Sequence, residues 1–388
     1  MTQVEKTAGQ QRDTGYWPRV AAVTAATFTV VTSEMLPVGL LTPLGRDLGV
    51  SEGLAGLSLT VTGVLAALAA PLVVPAARGA DRRRVLCALM LLLAAANALS
   101  AWAPGYAVLM GARVLVGVAM GGVWALAAGL GPRLAPPRTA GRATSLIFSG
   151  IAAASVLGVP AGAYLGELAG WRAAFTGGAL LSLAVAGALA VLLPPLPPSG
   201  GAPGLGGVLR LFGDAGVRAP LLIVGLLVTG HFAAYTYIRP VLEETAGTRG
   251  ALLSALLLLY GVAGLAGTFT AGAAVGRTVR GTVLGICGVL GVTVLLVPYA
   301  APLLLVWGVA YGGVAVAGQT WTQRAAPSPQ AREGAGALFA MVINAAIALG
   351  ALLGGRVADG FGPVATMWLG GALALAALGV TAAVRAPQ

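Results

Sequence analysis

Twelve stretches of this chain each run for about twenty residues with almost no charge, the length a helix needs to cross a bilayer core. They cover approximately residues 20–42, 53–77, 85–103, 106–130, 143–165, 173–194, 219–240, 251–275, 281–299, 302–322, 334–354 and 362–384. So many apolar runs fold only where lipid meets them, and each must then satisfy its backbone polar groups internally, as helix. Charged residues make up 9% of the chain, far too few for a soluble surface, where roughly 25% is usual. The 59 glycines fit the same reading, because small residues let membrane helices approach closely. The expected fold class is an all-α membrane protein with twelve transmembrane helices in two pseudo-symmetric six-helix bundles.

One long polar interruption, 195–218, separates six spans from six. It holds Pro195, Pro197, Pro198, Ser199, Gly200 and Gly201, followed by Arg210, Asp214 and Arg218. The expected layout is a tail at 1–19, a bundle at 20–194, a linker at 195–218, a bundle at 219–384 and a tail at 385–388. With the N-terminus inside, the cytoplasmic segments carry seventeen Lys and Arg, the outer segments five, and Arg113 is left within a span. That asymmetry places both termini in the cytoplasm of a multi-pass protein. The net charge of +11 is spread over these short loops, so no nucleic-acid partner is expected. The Arg-, Ala- and Gly-rich composition points to a bacterial cytoplasmic membrane. Residues 1–18 are polar, and the run from Arg19 is too long for the apolar part of a signal peptide. Cys87 and Cys287 fall inside apolar runs as small hydrophobes, and a single histidine leaves no set of metal ligands.

The halves repeat. Gly117-Val-Ala-Met-Gly-Gly-Val123 returns as Gly308-Val-Ala-Tyr-Gly-Gly-Val314, an offset of 191 that also carries Arg133 onto Arg324 and Pro136 onto Pro327. After a one-residue slip, Gly158 and Gly162 fall on Gly350 and Gly354. Six spans per half in matching orientation describe a parallel duplication about an axis along the membrane normal.

From about residue 17 to its end the chain resembles the twelve-span drug/proton antiporters of the major facilitator superfamily. It is most similar to the bacterial branch of arabinose, nucleoside and chloramphenicol efflux proteins. The resemblance is carried by Thr32-Ser-Glu-Met-Leu-Pro-Val-Gly-Leu-Leu41, Ala112-Arg-Val-Leu-Val-Gly117, Gly158-Val-Pro-Ala-Gly162, Gly170-Trp-Arg-Ala-Ala-Phe175 and Gly230-His-Phe-Ala-Ala-Tyr-Thr-Tyr-Ile-Arg-Pro240. It implies alternating access between the two bundles and export driven by a proton gradient.

Glu34 is the acid set most clearly within a span, where a charge costs several kcal/mol and must be paired or neutralised. At 1.5 Å per residue it lies roughly 21 Å from the inner face, and Arg113 roughly 10 Å from the outer face. In a core about 30 Å thick the two share a level. They read either as a titratable carboxylate tuned by an arginine or as a static ion pair. The resemblance implies the first, with Glu34 and Arg113 as the proton-coupling elements. His231 lies about 18 Å into span seven, with Tyr235 four residues on and hence on the same helix face. They read equally as a cavity lining or as polar groups bonded between helices. Tyr237 and Arg239 read as anchors at the outer interface, as do Trp171 and Arg172. Trp124 and Asn344 are further cavity candidates.

The loop Arg78-Gly-Ala-Asp-Arg-Arg-Arg84 is similar to the family's loop between spans two and three. That similarity makes Asp81, Arg82 and Arg84 candidates for an interhelical latch at the inner gate. The family's leading Gly is Ala77 here and its later Gly is missing, and a plain positive-inside loop is the other reading. Gly158, Pro160 and Gly162 resemble the antiporter signature of span five and mark a hinge, since Gly permits close contact and Pro removes a backbone hydrogen bond. No phosphate-binding glycine loop is present, so the gradient of an ion or of the cargo must supply the energy. The expected function is proton-coupled export of small apolar or amphipathic molecules by a monomeric transporter, with no enzyme activity and no cofactor. A sugar or nucleoside exporter, a passive uniporter and a non-transporting sensor are the alternatives.

Overall fold

The structure, a computed structural model, describes residues 15–76, 79–127, 130–197, 211–327 and 329–384. The N-terminal tail to residue 14, Arg78, most of the linker and residues 385–388 lie outside the described residues. Twelve described helices are long and apolar enough to cross a membrane, as the sequence expects. In chain order they are α1 (Trp17–Leu48), α2 (Glu52–Ala76), α3 (Arg82–Ala101), α4 (Tyr106–Ala127), α5, α6 (Trp171–Leu192), α7 (Ala215–Tyr235), α8 (Gly250–Val275), α9 (Val279–Leu296), α10, α11 (Pro329–Phe361) and α12 (Ala365–Ala383). Helix α5 runs as Ala140–Ala153, a π-helical turn Ala154–Gly158, and Val159–Ala169. Helix α10 runs as Leu303–Gly312 and Val314–Arg324, broken at Gly313.

Local chemistry sets several boundaries. Helix α7 starts inside the expected linker because Asp214 caps it, accepting from Gly216 N at 2.8 Å and Val217 N at 3.2 Å. It stops at Tyr235, and a separate short helix, Ile238–Thr245, follows. Helix α1 opens with Pro18 in its first turn and ends at Gly49, whose φ of 65° is the left-handed conformation that glycine adopts without cost. Pro160 would clash with the carbonyl four residues earlier in a regular helix, and the π-turn immediately before it widens the backbone at that point.

The packing obeys the sequence repeat. Within the first half α2 packs on α4, α3 on α6, and α1 on α5 and α6. Adding six to each number gives the pairs of the second half: α8 on α10, α9 on α12, and α7 on α11 and α12. The contacts between halves, α2 with α11 and α5 with α8, exchange under the same operation. The repeated glycines explain why. A Cβ at Gly117 would lie 2.6 Å from Thr62 O of α2, and one at the equivalent Gly308 would lie 2.5 Å from Tyr260 O of α8. Each half therefore needs glycine where its fourth helix touches its second.

Every described hydrogen bond between the halves lies toward the end of the bundle away from the termini. Asp359 of α11 accepts from Ser51 Oγ and from Gly53 N, both at 2.9 Å, and so caps α2 from the other half. Deeper in, Thr60 Oγ1 donates to Ala348 O at 3.1 Å. Arg239 donates to Gly39 O of α1 at 2.7 Å, to Glu167 of α5 at 2.5 Å and to Glu243 at 2.8 Å. Its side chain is buried and Tyr237 is fully buried, donating to Ala351 O at 2.9 Å. These two residues are the seal of the closed end, not anchors in an interface. Trp171 is buried as well, and it and Arg172 both bond Asp47, tying the start of α6 to the end of α1.

Candidate functional site

Glu34 lies on the stripe of α1 that faces the second half. Val31, Met35 and Val38 stand three, one and four residues from it, and all three belong to a single apolar cluster with Tyr235, Tyr260 and Trp307. The carboxylate is 3% exposed and its Oε1 has no hydrogen-bond partner. Nearby, Thr32 Oγ1 and Tyr260 OH are likewise buried and unpartnered. Nothing described compensates a charge on Glu34, so a proton or a donor on a ligand must do so.

Arg113 does not supply that compensation. It is fully buried inside the first half, where it donates to Ser33 O at 3.0 Å and to Ser100 Oγ at 2.9 Å, with its guanidinium carbon 5.0 Å from the centre of the Phe175 ring. Among the described residues no ion pair joins it to Glu34. The equal depth read from the sequence is compatible with this; the helix turn is what separates them. Consecutive residues point about 100° apart, so Ser33 meets the interior of the first half while Glu34 meets the second. Asn97 completes this inner set, donating to Ser33 Oγ at 2.9 Å.

Across the boundary from Glu34 is a set of stacked rings. His231, the single histidine of the chain, is 2% exposed, and its Nδ1 accepts from Trp307 Nε1 at 3.0 Å. An accepting Nδ1 leaves the imidazole proton on Nε2. Tyr235 stacks on His231 with centroids 5.0 Å apart, and Tyr311 stacks on it at 3.3 Å and 9°. Tyr260 stacks on Tyr235 at 4.7 Å. Tyr311 packs on the same apolar cluster as Val31, Met35 and Val38, the neighbours of Glu34 on α1. The structure thus joins His231 and Tyr235, as their spacing suggests, and adds three aromatics the sequence reading did not single out. One signal was available: Tyr311 is the position where the repeated heptapeptide differs, standing where the first half has Met120.

Among the described pairs the other candidates make no ring contact with this stack, although Trp124 packs on the same apolar cluster. Trp124 packs 5.9 Å from Phe148, with its Nε1 buried and unpartnered. Asn344 donates to Ala340 O of its own helix at 2.8 Å, and its backbone faces Gly63 of α2. Asp81 caps α3 through Arg83 N at 2.8 Å and accepts from Leu196 N at 3.1 Å, while Arg82 N donates to Leu196 O. These bonds fasten α3 to the segment after α6, within one half. The Asp81 carboxyl is raised by desolvation, but the backbone N–H groups of Leu196, Arg83 and Arg84 and the charge on Arg84 outweigh this and hold it below its ordinary value. Arg84 is exposed, and Arg82 is buried. Gly158 and Gly162 press α5 onto Thr32 and Leu36 of α1, the residues two positions before and after Glu34. An open groove of about 610 Å³ lies elsewhere, lined by Trp17, Arg142, Ser145, Leu146 and Ser149.

Residues 23–332 match the model of the Major Facilitator Superfamily. Over 377 residues the chain is 34% identical to the transcription regulatory protein OpdE of Pseudomonas aeruginosa, covering 95% of this chain and 93% of that one. Over 379 residues it is 35% identical to the purine ribonucleoside efflux pump NepI of Escherichia coli K12, covering 95% and 94%. Among solved structures, the nucleoside transporter NupG superposes with a TM-score of 0.76 at 15% identity, covering 95% and 98%. A bacterial homologue of the human lysosomal transporter Spinster, inward-facing and unoccupied, superposes with a TM-score of 0.72 at 15% identity and covers 95% of each chain. At such identities the structural likeness concerns the fold alone.

Proposed function

We propose that this chain, which belongs to the major facilitator superfamily, exports a small metabolite bearing a planar heteroaromatic ring, of the nucleoside kind, in exchange for protons. The observation that carries the reading is the buried, unpartnered carboxylate of Glu34 facing an aromatic stack in the other half. Stacking rings suit a flat cargo, since offset aromatic pairs gain about 0.5–1.5 kcal/mol beyond the area they bury. A carboxylate at the edge of that stack suits the N–H groups of a base. Similarity to a pump for purine ribonucleosides over 95% of the chain supports the same class.

Glu34 then has two alternative partners. Bound cargo offers it hydrogen-bond donors, and in the empty protein a proton neutralises it. Because each excludes the other, a cycle that carries cargo one way carries protons the other. Alternating access requires the seal at Arg239 and Asp359 to break and a matching seal to form near the termini, which lie in the cytoplasm in this reading.

Purified protein in proteoliposomes with an imposed pH gradient tests this, with lumenal pH followed by a dye as a purine ribonucleoside, free ribose or chloramphenicol is added. Proton movement should follow the ribonucleoside, not ribose, and should vanish in Glu34→Gln. Coupled uphill transport that survives in Glu34→Gln with unchanged pH dependence would sink the proton assignment. Labelled nucleoside that equilibrates without any proton movement would make the chain a uniporter.

A further inference from the structure

Of the stacked rings around His231, Tyr311 is the least restrained. Trp307 is fully buried and holds the imidazole by its hydrogen bond, while Tyr235 and Tyr260 are 4% and 6% exposed in the core. Tyr311 is only partly buried, and among the described residues no hydrogen bond ties its hydroxyl. It is followed by Gly312 and Gly313, the point where α10 breaks. No ring contact between Tyr235 and Tyr311 occurs among the described pairs, which places them on opposite faces of the imidazole. One face of His231 is therefore covered by a core residue, and the other by a ring next to the break in α10.

We propose, resting on the reading that the cargo carries a planar heteroaromatic ring, that Tyr311 is a removable stacking ring. In the empty protein it covers the face of His231 on which the base of the cargo lies in the loaded protein. The imidazole makes a suitable platform because Trp307 fixes its plane and Tyr235 backs it. A base that replaces the Tyr311 ring gains an equivalent stack and also reaches Glu34 with its N–H groups, which a tyrosine ring cannot offer. Cargo without a ring finds no platform and leaves Tyr311 in place. Selectivity in this arrangement comes from displacement, not from an open slot. A placeholder weakens apparent affinity by the fraction of time that it leaves the face free, so one aromatic stack translates to about two- to tenfold.

The single histidine makes the test specific, because histidine-labelled protein gives one set of imidazole signals. In nanodisc-embedded Tyr311→Ala, loss of the ring current should move the His231 proton signals downfield. Adding a purine ribonucleoside should move them back, and ribose should not. The same variant should bind the nucleoside about two- to tenfold more tightly than the parent, and Tyr311→Phe should match the parent. Should the alanine variant fail to fold, the parent serves: base protons of bound nucleoside must show nuclear Overhauser contacts to His231. Weaker binding in Tyr311→Ala, or bound nucleoside with no effect on the His231 signals, overturns the placeholder while leaving the ring-bearing cargo intact. A parent that binds no nucleoside or other purine overturns the cargo reading first, and the placeholder with it.

Discussion

Replacing Arg239 with Gln should open the sealed end of the bundle. Two of the three hydrogen bonds of this arginine cross between the halves, to Gly39 O and to Glu167; the third, to Glu243, stays within one half and survives opening. A buried bond from a charged donor is worth about 1.5–3 kcal/mol. The Glu167 side chain is 32% exposed, so that pair counts for no more than about 1 kcal/mol after solvent screening. Together they favour the closed end by about 2–4 kcal/mol, and at 1.4 kcal/mol per factor of ten their loss shifts the equilibrium roughly 30- to 700-fold. Spin labels on Cys at Arg46 and Thr245, exposed positions on opposite halves at that end, would report it by pulsed electron resonance once Cys87 and Cys287 are replaced by Ala. The variant should populate a longer distance that the parent lacks or holds weakly. Arg239→Lys should fall between them, because one ammonium cannot reproduce the forked geometry. A folded Arg239→Gln protein with the parent's distance distribution would refute the latch, leaving the Asp359 cap of α2 as the element that closes this end.

Gly312→Ala should lower the thermal unfolding midpoint in detergent, since a Cβ there would overlap Gly264 of α8; the overpacking costs about 1–3 kcal/mol, whereas Gly285→Ala, with nothing within 4 Å, should be neutral or better. Trp307→Phe should cost about 1–3 kcal/mol in the same assay, because a buried acceptor, Nδ1 of His231, loses its donor. Asp81→Ala should destabilise the protein by about 0.5–2 kcal/mol through the lost cap of α3. The sign of its pH dependence follows from the lowered carboxyl. The stabilisation is complete above the ordinary aspartate value near 3.9 and is lost only as pH falls through the lower folded value, so the gap to wild type should stay flat from about pH 5 to 8.

The helices were legible because hydropathy and length alone decide a membrane span, and the duplication of the two halves was legible in their repeated glycines. Two kinds of feature were not. Arg239 reads as an interfacial anchor from its depth, and only the approach of the other half, with Gly39 O and Glu167 in place, turns it into a latch. The partnership of Glu34 and Arg113 followed from depth as well. Depth is one coordinate, and rotation about the helix axis, which hydropathy barely constrains in a helix buried on most sides, is the other. Helix α1 is such a helix, buried around most of its circumference from Val20 to Leu44. For Tyr311 a signal did exist, in the single mismatch of the repeated heptapeptide, where the first half has Met120.

For the proposed antiport, the rotation of α1 decides which interaction a proton on Glu34 can change. Ser33 and Glu34 are neighbours in sequence but address different bodies: one receives Arg113 from inside the first half, and the other faces the rings of the second. Had Glu34 paired with Arg113, gain or loss of a proton would have changed an interaction inside one rigid bundle, where it could alter stability but not the relation between bundles. Facing the boundary, the same proton changes what one half presents to the other, and a ligand lying there is felt by both. An equilibrium between two states can be shifted only by an interaction that differs between them. In a bundle whose two states differ in how the halves meet, the carboxylate at the meeting surface has that property and the arginine behind it does not. The buried arginine instead fixes the rotation of α1, with bonds to the backbone of Ser33 and to Ser100 of α3, and so keeps Glu34 turned toward the boundary.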